Sequence, residues 1–419
     1  MADSKLTRLE RNWIKYDVGN SAFVLLNTSV VPIYFQSLLT SDIVDKSMAL
    51  WGVAQTIASL AIALLMPILG TQADRKGYKI KYFLGFFFTG LVGCFALALP
   101  LAWLPFLVVF VLASIGLSSS MTFYDAMLTD VTTDERMDNV SSQGFAWGYI
   151  GSVVPFIVCL ALILLGPKTG LVDTALATRL SFVITGLWWL AFTIPLVRTY
   201  RQTHWREDSE VGIAATFREL GRTAKEIASN RQVLIFILAF FFYIDGVHTV
   251  ISMATSYGAQ VGIEGTQLVL ALLVTQFVAF PSAILYGKLA GRVGTLRMIR
   301  IAVAAYVVIV IFAAFFLKSA VEFWILAIAV GLFQGGVQAL SRSYFGKIIP
   351  KEKSNEYYGF FDIFGKYASV MGTALVSGVA LATGNESLGV LSIGILLVVG
   401  LVLLMMLPND RVVADPRAQ

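Results

Sequence analysis

The sequence has 419 residues, 57% hydrophobic and 14% charged, with a mean hydropathy of +0.78, whereas a soluble domain carries about 25% charged residues. The formal net charge is +5, but the cations stand in short runs between apolar blocks, a membrane-anchoring pattern rather than a nucleic-acid signature. These proportions exclude an ordinary soluble enzyme and predict an all-α membrane protein.

Twelve apolar blocks follow in order, at 16–39, 48–71, 80–100, 101–124, 143–165, 178–197, 233–256, 267–290, 298–317, 321–345, 359–382 and 388–407. Each has about the 20 residues a helix needs to cross a hydrocarbon core of about 30 Å. The blocks are continuous, whereas barrel strands alternate apolar and polar over about ten residues, so a barrel is excluded. The opening MADSKLTRLERNWIKYD is charged for too long before the first block to read as a cleavable leader. Cys94 and Cys159 both fall inside blocks, which argues against a disulfide or a metal site.

Lys and Arg set the orientation. With the N-terminus inside, the inner segments hold Lys5, Arg8, Arg11 and Lys15, then Arg75, Lys76, Lys79 and Lys81, and the 198–231 linker adds seven more. The outer segments hold only Lys46, Lys168, Arg179 and Lys318. Both termini are expected in the cytoplasm. Within the linker, Ile213, Phe217, Leu220, Ala224 and Ile227 share one face of a helix, which predicts an amphipathic helix on the inner surface.

GTQADRKGYK at 70–79 joins the second and third blocks, and GKLAGRVGTLR at 287–297 joins the eighth and ninth. Gly70, Asp74, Arg75 and Gly77 map onto Gly287, Gly291, Arg292 and Gly294 at a constant offset of 217 residues (287 − 70). The same offset carries Asp125 to Arg342 and Gly148 to Gly365. Six spans therefore repeat as six in the same orientation, as in the major facilitator architecture. The predicted organisation is an N-terminal six-helix bundle at 1–198, a linker at 199–231 and a pseudo-symmetric, parallel C-terminal bundle at 232–419.

G-x-x-x-D-R-x-G-x-K resembles the signature loop of major facilitators between spans two and three. Gly70 and Gly77 let the chain turn and the helices approach, and Arg75, Lys76 and Lys79 are expected to hold the loop at the anionic leaflet. Asp74 is expected to face the positive N-terminal end of a helix; the resemblance puts that helix at Ser354–Asn355–Glu356 and makes the contact a cytoplasmic latch. YDVGNSAF (16–23), QGFAWGYIGS (143–152), YIDGVHTV (243–250), GGVQALSRSYFGKIIP (335–350) and EYYGFFDIFGK (356–366) together resemble the vacuole effluxer-like family, whose eukaryotic members are autophagy-related amino-acid exporters. The chain departs from that pattern at Val18-Gly19, where the family often has Trp-Ala. Its fourth span has Tyr124-Asp125 where many proton-coupled facilitators carry an arginine.

A charge at the centre of a span costs about 2.5–3.5 kcal/mol on insertion scales and marks a functional candidate. Asp245 lies twelve residues into the seventh block, roughly 18 Å along a helix, and His248 shares its face. The pair reads as a proton or substrate-amine site, or as a bond that only joins helices. Asn20 and Asn27 on the first span, and Gln334 and Gln338 on the tenth, offer amides to a cavity. Asp125, Arg342, Asp362 and Lys366 read as cytoplasmic gate charges, the last two four residues apart on one face.

No G-x-x-x-x-G-K-[ST] loop is present, so energy is expected from a gradient. The expected function is alternating-access secondary transport, not enzymatic catalysis. The resemblance implies export with amino acids as first substrates, and proton coupling is expected from Asp245 and His248; an exporter of drugs or lipid-like amphiphiles is the alternative, and a non-transporting receptor or scaffold a distant one. No cofactor, metal or nucleic acid is expected. The expected partners are a small solute, protons or another ion, and the bilayer of a bacterial inner membrane, with the chain as a monomer.

Overall fold

The structure, a computed structural model, describes residues 5–41, 43–207 and 213–409, without the side chains of 213–214, 255–256, 260, 265–266, 269 and 366–370. The described residues form helices α1 (Arg8–Ser37), α2 (Ser47–Ala73), α3 (Lys79–Ala96), α4 (Trp103–Val131), α5 (Asp134–Thr169) and α6 (Thr174–Thr199). After a connecting stretch come α7 (Ile213–Ser229), α8 (Arg231–Gln260), α9 (Gly265–Val293), α10 (Thr295–Phe316), α11 (Ala320–Ile348), α12 (Ser354–Thr383) and α13 (Glu386–Met405). Among the described residues, 11 helical stretches are long and apolar enough to cross a bilayer, and Met371–Thr383 of α12 forms a shorter apolar segment. The chain is a multi-pass integral membrane protein.

Helix ends are fixed by local chemistry. Thr7 and Glu10 form a capping box at the start of α1, Glu10 N donating to Thr7 Oγ1 at 3.1 Å and Thr7 N to Glu10 Oε2 at 2.7 Å. Asp173, Asn230, Ser319 and Asn385 cap α6, α8, α11 and α13 through their side chains. Gly294, at φ 102°, separates α9 from α10, and Gly77, at φ 74°, turns the chain into α3. These are left-handed conformations that favour glycine. Several helices run beyond the apolar blocks: α1 begins at Arg8 and α5 at Asp134, because a capped polar turn continues the helix into water.

The chain divides into two compact units. The first holds residues 1–131, 147–220 and 351–360; the second holds 132–146, 221–350 and 361–419. The first unit closes around aromatic side chains. Trp13 of α1 stacks on Tyr124 of α4 with centroids 4.4 Å apart and donates from Nε1 to the Tyr124 carbonyl at 3.1 Å, so the indole buries its area without orphaning its N–H. Tyr16 pairs with the Ser120 hydroxyl at 2.8 Å. In the second unit Phe361 stacks on Phe240 at 3.8 Å and on Phe345 at 4.4 Å. Each unit turns Leu, Val and Ile side chains such as Val92 and Val308 outward, as lipid-facing helices do.

The connecting residues after α6 are pinned to the 70–79 loop. Gly77 N donates to Gln202 Oε1 and Arg206 N to the Asp74 carbonyl, both at 2.9 Å, and Lys76 Nζ lies 4.8 Å over the Trp205 ring. Helix α7 forms as its periodicity predicts, but the buried positions are Thr216, Thr223 and Ile227, while Phe217 and Ala224 are exposed. The helix packs on protein through a face rotated from the expected one, and part of its apolar stripe points outward.

Candidate functional site

The 70–79 loop builds one polar centre, inside the first unit. Gly70 comes so close to the start of α12 that an added Cβ would lie 2.6 Å from the Asn355 carbonyl oxygen. That approach brings Asp74 under the first turn of α12. Asp74 Oδ1 accepts from Asn355 N at 2.9 Å and Asn355 Nδ2 at 2.7 Å, and Oδ2 accepts from Glu356 N at 3.0 Å. A carboxylate here takes up free amides at the positive end of a helix. Burial is complete, and it outweighs the nearby Lys79 ammonium and the three donors: the Asp74 carboxyl is pushed up to about 6.

Lys79 corrects the sequence reading. It is not a leaflet anchor but fully buried. Its Nζ donates to Asp130 Oδ2 at 2.6 Å and to Ser354 Oγ at 2.9 Å. Asp130, at the end of α4, also accepts from the Tyr200 hydroxyl at 2.5 Å, Thr203 N at 3.1 Å and His204 N at 2.9 Å. One carboxylate thus ties α3, α4 and the connecting stretch together. Asp130 and the Tyr200–His204 stretch carry no motif in the sequence; Asp130 stands six residues beyond the fourth apolar block, ahead of a stretch that holds Asp134, Glu135 and Asp138.

The second unit carries a counterpart with its charges exchanged. Asp138 of α5 accepts from Lys347 Nζ at 2.6 Å, Ser343 Oγ at 2.6 Å and Thr295 Oγ1 at 2.7 Å. The 217-residue offset carries Asp130 to Lys347 and Asp138 to Asn355. An added Cβ on Gly287 would meet Ser142 Cβ at 2.6 Å and the Asp138 carbonyl oxygen at 3.2 Å. Arg342 is buried, donates to Ser141 Oγ at 2.9 Å and Ser141 O at 3.0 Å, and lies 4.4 Å over the Phe145 ring. Arg75 and Asp125 are half-buried in the first unit, Asp125 six residues before the end of α4 rather than at its tip. Asp362 is half-buried in the second; Lys366 lies outside the described residues.

Asp245, in the middle of α8, is fully buried. Its Oδ1 accepts from the Gly372 amide of α12 at 3.0 Å and the Thr249 hydroxyl at 3.3 Å, whereas Oδ2 is buried with no hydrogen-bond partner among the described residues. Gly372 is what permits this: a Cβ there would stand 2.0 Å from Thr249 Oγ1 and 2.6 Å from Asp245 Oδ1. Gly246 does not unwind α8; it lets Leu397 of α13 pack within 2.7 Å of an added Cβ. His248, one turn on, is half-buried. Gln334 is buried and Gln338 half-buried on α11. Gln334 lines a mostly apolar cavity of about 110 Å3 within the second unit, beside Gln276, whose Oε1 has no hydrogen-bond partner among the described residues. No hydrogen bond joins any two of Asp245, His248, Gln334 and Gln338 among the described residues. In the first unit Asn20 is buried and donates to Asp17 Oδ1 at 3.4 Å, and Asn27 keeps its Oδ1 shielded with no hydrogen-bond partner among the described residues.

Comparison with known proteins gives a consistent set of likenesses. The family described as "Vacuole effluxer Atg22 like" matches residues 39–416. The chain is 42% identical over 413 residues to the "Uncharacterized MFS-type transporter YxiO" of Bacillus subtilis, covering 97% of this chain and 96% of that protein. It is 26% identical over 303 residues to "Autophagy-related protein 22-2" of Penicillium rubens, covering 65% of this chain and only 50% of that longer protein. The solved structure of the proton:xylose symporter XylE superposes with a TM-score of 0.70 at 11% identity, over 96% of this chain and 94% of that one, a likeness of fold.

Proposed function

The chain belongs to the vacuole effluxer Atg22-like family of major facilitator transporters, and from that premise we propose that it exports a small solute, amino acids foremost, by proton-coupled alternating access. Twelve spans, both termini in the cytoplasm of a bacterial inner membrane and action as a monomer complete the reading. The family's description as a vacuole effluxer supports the direction, and the Bacillus subtilis relative supports the membrane.

The observation that carries the proposal is Asp245. Its carboxyl is enclosed in the middle of an apolar helix, one oxygen committed to Gly372 and Thr249 and the other without a donor among the described residues. A buried oxygen with no partner is costly, and a proton or a substrate ammonium relieves that cost. Such a group gains most from a ligand that comes and goes, as a coupling site requires. His248, Asn20, Asn27, Gln334 and Gln338 are assigned to the same polar path.

At the cytoplasmic side, Asp74 with Gly70, Arg75 and Gly77 is assigned as the latch on the first turn of α12, and Asp125, Arg342, Asp362 and Lys366 as charges that open and close with it. Carboxylate-to-amide bonds at a helix start are each worth about 1 kcal/mol, strong enough to hold one state and weak enough to release.

Reconstitution in proteoliposomes with an imposed pH gradient tests the reading. Labelled amino acid is expected to move against its own gradient when protons run the other way, and Asp245→Asn is expected to abolish gradient-driven accumulation while leaving exchange. Accumulation unchanged in that variant would overturn the assignment. The apolar cavity beside Gln334 and Gln276 favours a second reading, export of amphiphiles, in which drug-like amphiphiles would move and amino acids would not.

A further inference from the structure

A second polar feature lies in the first unit, away from every group assigned above. Arg8, Arg11 and Lys15 follow at spacings of three and four along the first turns of α1, so they share one face. Arg198 stands in the last turn of α6, the helix packed against α1. The two are fastened where they meet: Asn12 Nδ2 donates to Thr199 Oγ1 at 3.1 Å. Between them runs a groove of about 490 Å3, lined by these four cations together with Ile194 and Pro195.

None of the four cations makes an ion pair or a side-chain hydrogen bond among the described residues, and no carboxylate lines the groove. Glu10, which stands between Arg8 and Arg11 in the chain, is buried and held in the capping box of α1. The contrast with the rest of the chain is sharp: Lys79, Lys347 and Arg206 are each matched to a carboxylate within 2.8 Å. Four like charges gathered without a counter-charge repel one another, and an anion removes that repulsion.

The depth of the groove identifies the anion. Lys15 immediately precedes the first apolar block and Arg198 immediately follows the sixth, so the cations mark the level where hydrocarbon gives way to water. Ile194 lies one turn deeper and is 39% exposed. The groove therefore grades from cationic to apolar in the order in which a glycerophospholipid grades from phosphate to acyl chain. A free phosphate would leave the apolar floor unused.

We infer that the groove between the start of α1 and the end of α6 binds the headgroup of an anionic phospholipid, phosphate on Arg8, Arg11, Lys15 and Arg198 and first methylenes on Ile194 and Pro195. Arg forks hold phosphate oxygens in pairs, and basic pockets between spanning helices recognise such headgroups. Four cations exceed the charge of one phosphate, so a two-phosphate lipid of the cardiolipin type binds more tightly than phosphatidylglycerol. The inference stands apart from the transported solute and from Asp245.

Native mass spectrometry and thermal unfolding of the full chain in neutral detergent test it, with cardiolipin, phosphatidylglycerol, phosphatidylcholine, inorganic phosphate and pyrophosphate as probes. Cardiolipin is expected to be retained and to raise the unfolding temperature, phosphatidylglycerol less, and phosphatidylcholine and the inorganic anions not at all. Arg11→Gln with Arg198→Gln is expected to weaken cardiolipin binding about tenfold or more, since each cation at an anionic surface contributes several-fold, and Arg11→Lys with Arg198→Lys to restore part of it. Lys225→Gln with Arg297→Gln removes the same charge from exposed positions elsewhere and is expected to change little. Equal losses in the two glutamine pairs, stabilisation by inorganic phosphate to the same degree, or no retained lipid on the unsubstituted chain would each overturn the inference.

Discussion

Gly70 and Asn355 touch through their backbones: a Cβ added to the glycine would lie 2.6 Å from the Asn355 carbonyl oxygen and 3.0 Å from the Glu356 Cα. The 217-residue repeat reproduces the relationship in the second unit, where Gly287 lies against Asp138 and Ser142. Backbone cannot turn aside as a side chain does, so Gly70→Ala is expected to push α12 off its seat, costing about 1–3 kcal/mol and lowering transport in proteoliposomes. Gly77→Ala meets open space and pays only for φ 74°, roughly 1–2 kcal/mol. Thermal unfolding of the two variants, with transport alongside, checks the order: Gly77→Ala is expected to keep more activity at equal stability loss.

Asp74 gives a pH dependence of known sign. Its carboxyl titrates at about 6 in the folded chain against an ordinary value of 3.8. Through that window the folded state holds a proton that the unfolded state has released. Stability from this group is therefore full below the lower value and is lost as pH rises through the upper one. Unfolding temperature measured from pH 4 to pH 7 is expected to lose part of its slope in Asp74→Asn. An unchanged slope would remove Asp74 as its source.

The Lys79–Asp130 pair is fully buried. Removing one partner leaves the other charge uncompensated, which costs about 3–5 kcal/mol. Lys79→Met and Asp130→Asn are each expected to lower the unfolding temperature markedly. The double variant is expected to lose less than the sum of the two, and a double-mutant cycle measures the difference. Asp130 should be the more damaging single change, since Tyr200, Thr203 and His204 also lose their acceptor.

Gly372→Ala is expected to separate α12 from α8. The new methyl would fall 2.0 Å from Thr249 Oγ1 and 2.6 Å from Asp245 Oδ1, so the Asp245 to Gly372 bond must lengthen or break. Gradient-driven accumulation is expected to fall at least about tenfold, the equivalent of about 1.4 kcal/mol. Pairing it with Thr249→Ala, which removes the hydroxyl the new methyl would strike, is expected to restore part of the loss.

The spans were readable in the sequence because lipid demands long apolar helices whatever their neighbours, and the 217-residue repeat placed Gly70 and Gly287 in equivalent loops. The position of Asp74 beneath Asn355 and Glu356 followed from a motif with a geometric purpose. Lys79 was not readable. Counting cations treats each as solvated, while its burial depends on Asp130, which is far away in sequence and reaches it only when α3 packs on α4. The face of α7 was misjudged for a related reason: apolar periodicity identifies a stripe, but not whether protein or the bilayer surface covers it. The Tyr200–Arg206 stretch has no periodicity, and only the structure reveals its bonds to Gly77 and Asp74.

The segment 351–360 belongs to the first unit, and that sets an order of events during synthesis. A ribosome has long finished Gly70 and Asp74 before it reaches Asn355 and Glu356, so the Asp74 carboxylate waits without its α12 donors through most of translation. A nascent chain halted at the linker would leave the Asp74 carboxylate without the helix-start amides that the finished protein gives it. Quality-control machinery sensitive to unpaired charge at the bilayer surface has there a mark of incompleteness, erased only when the last third of the message has been read.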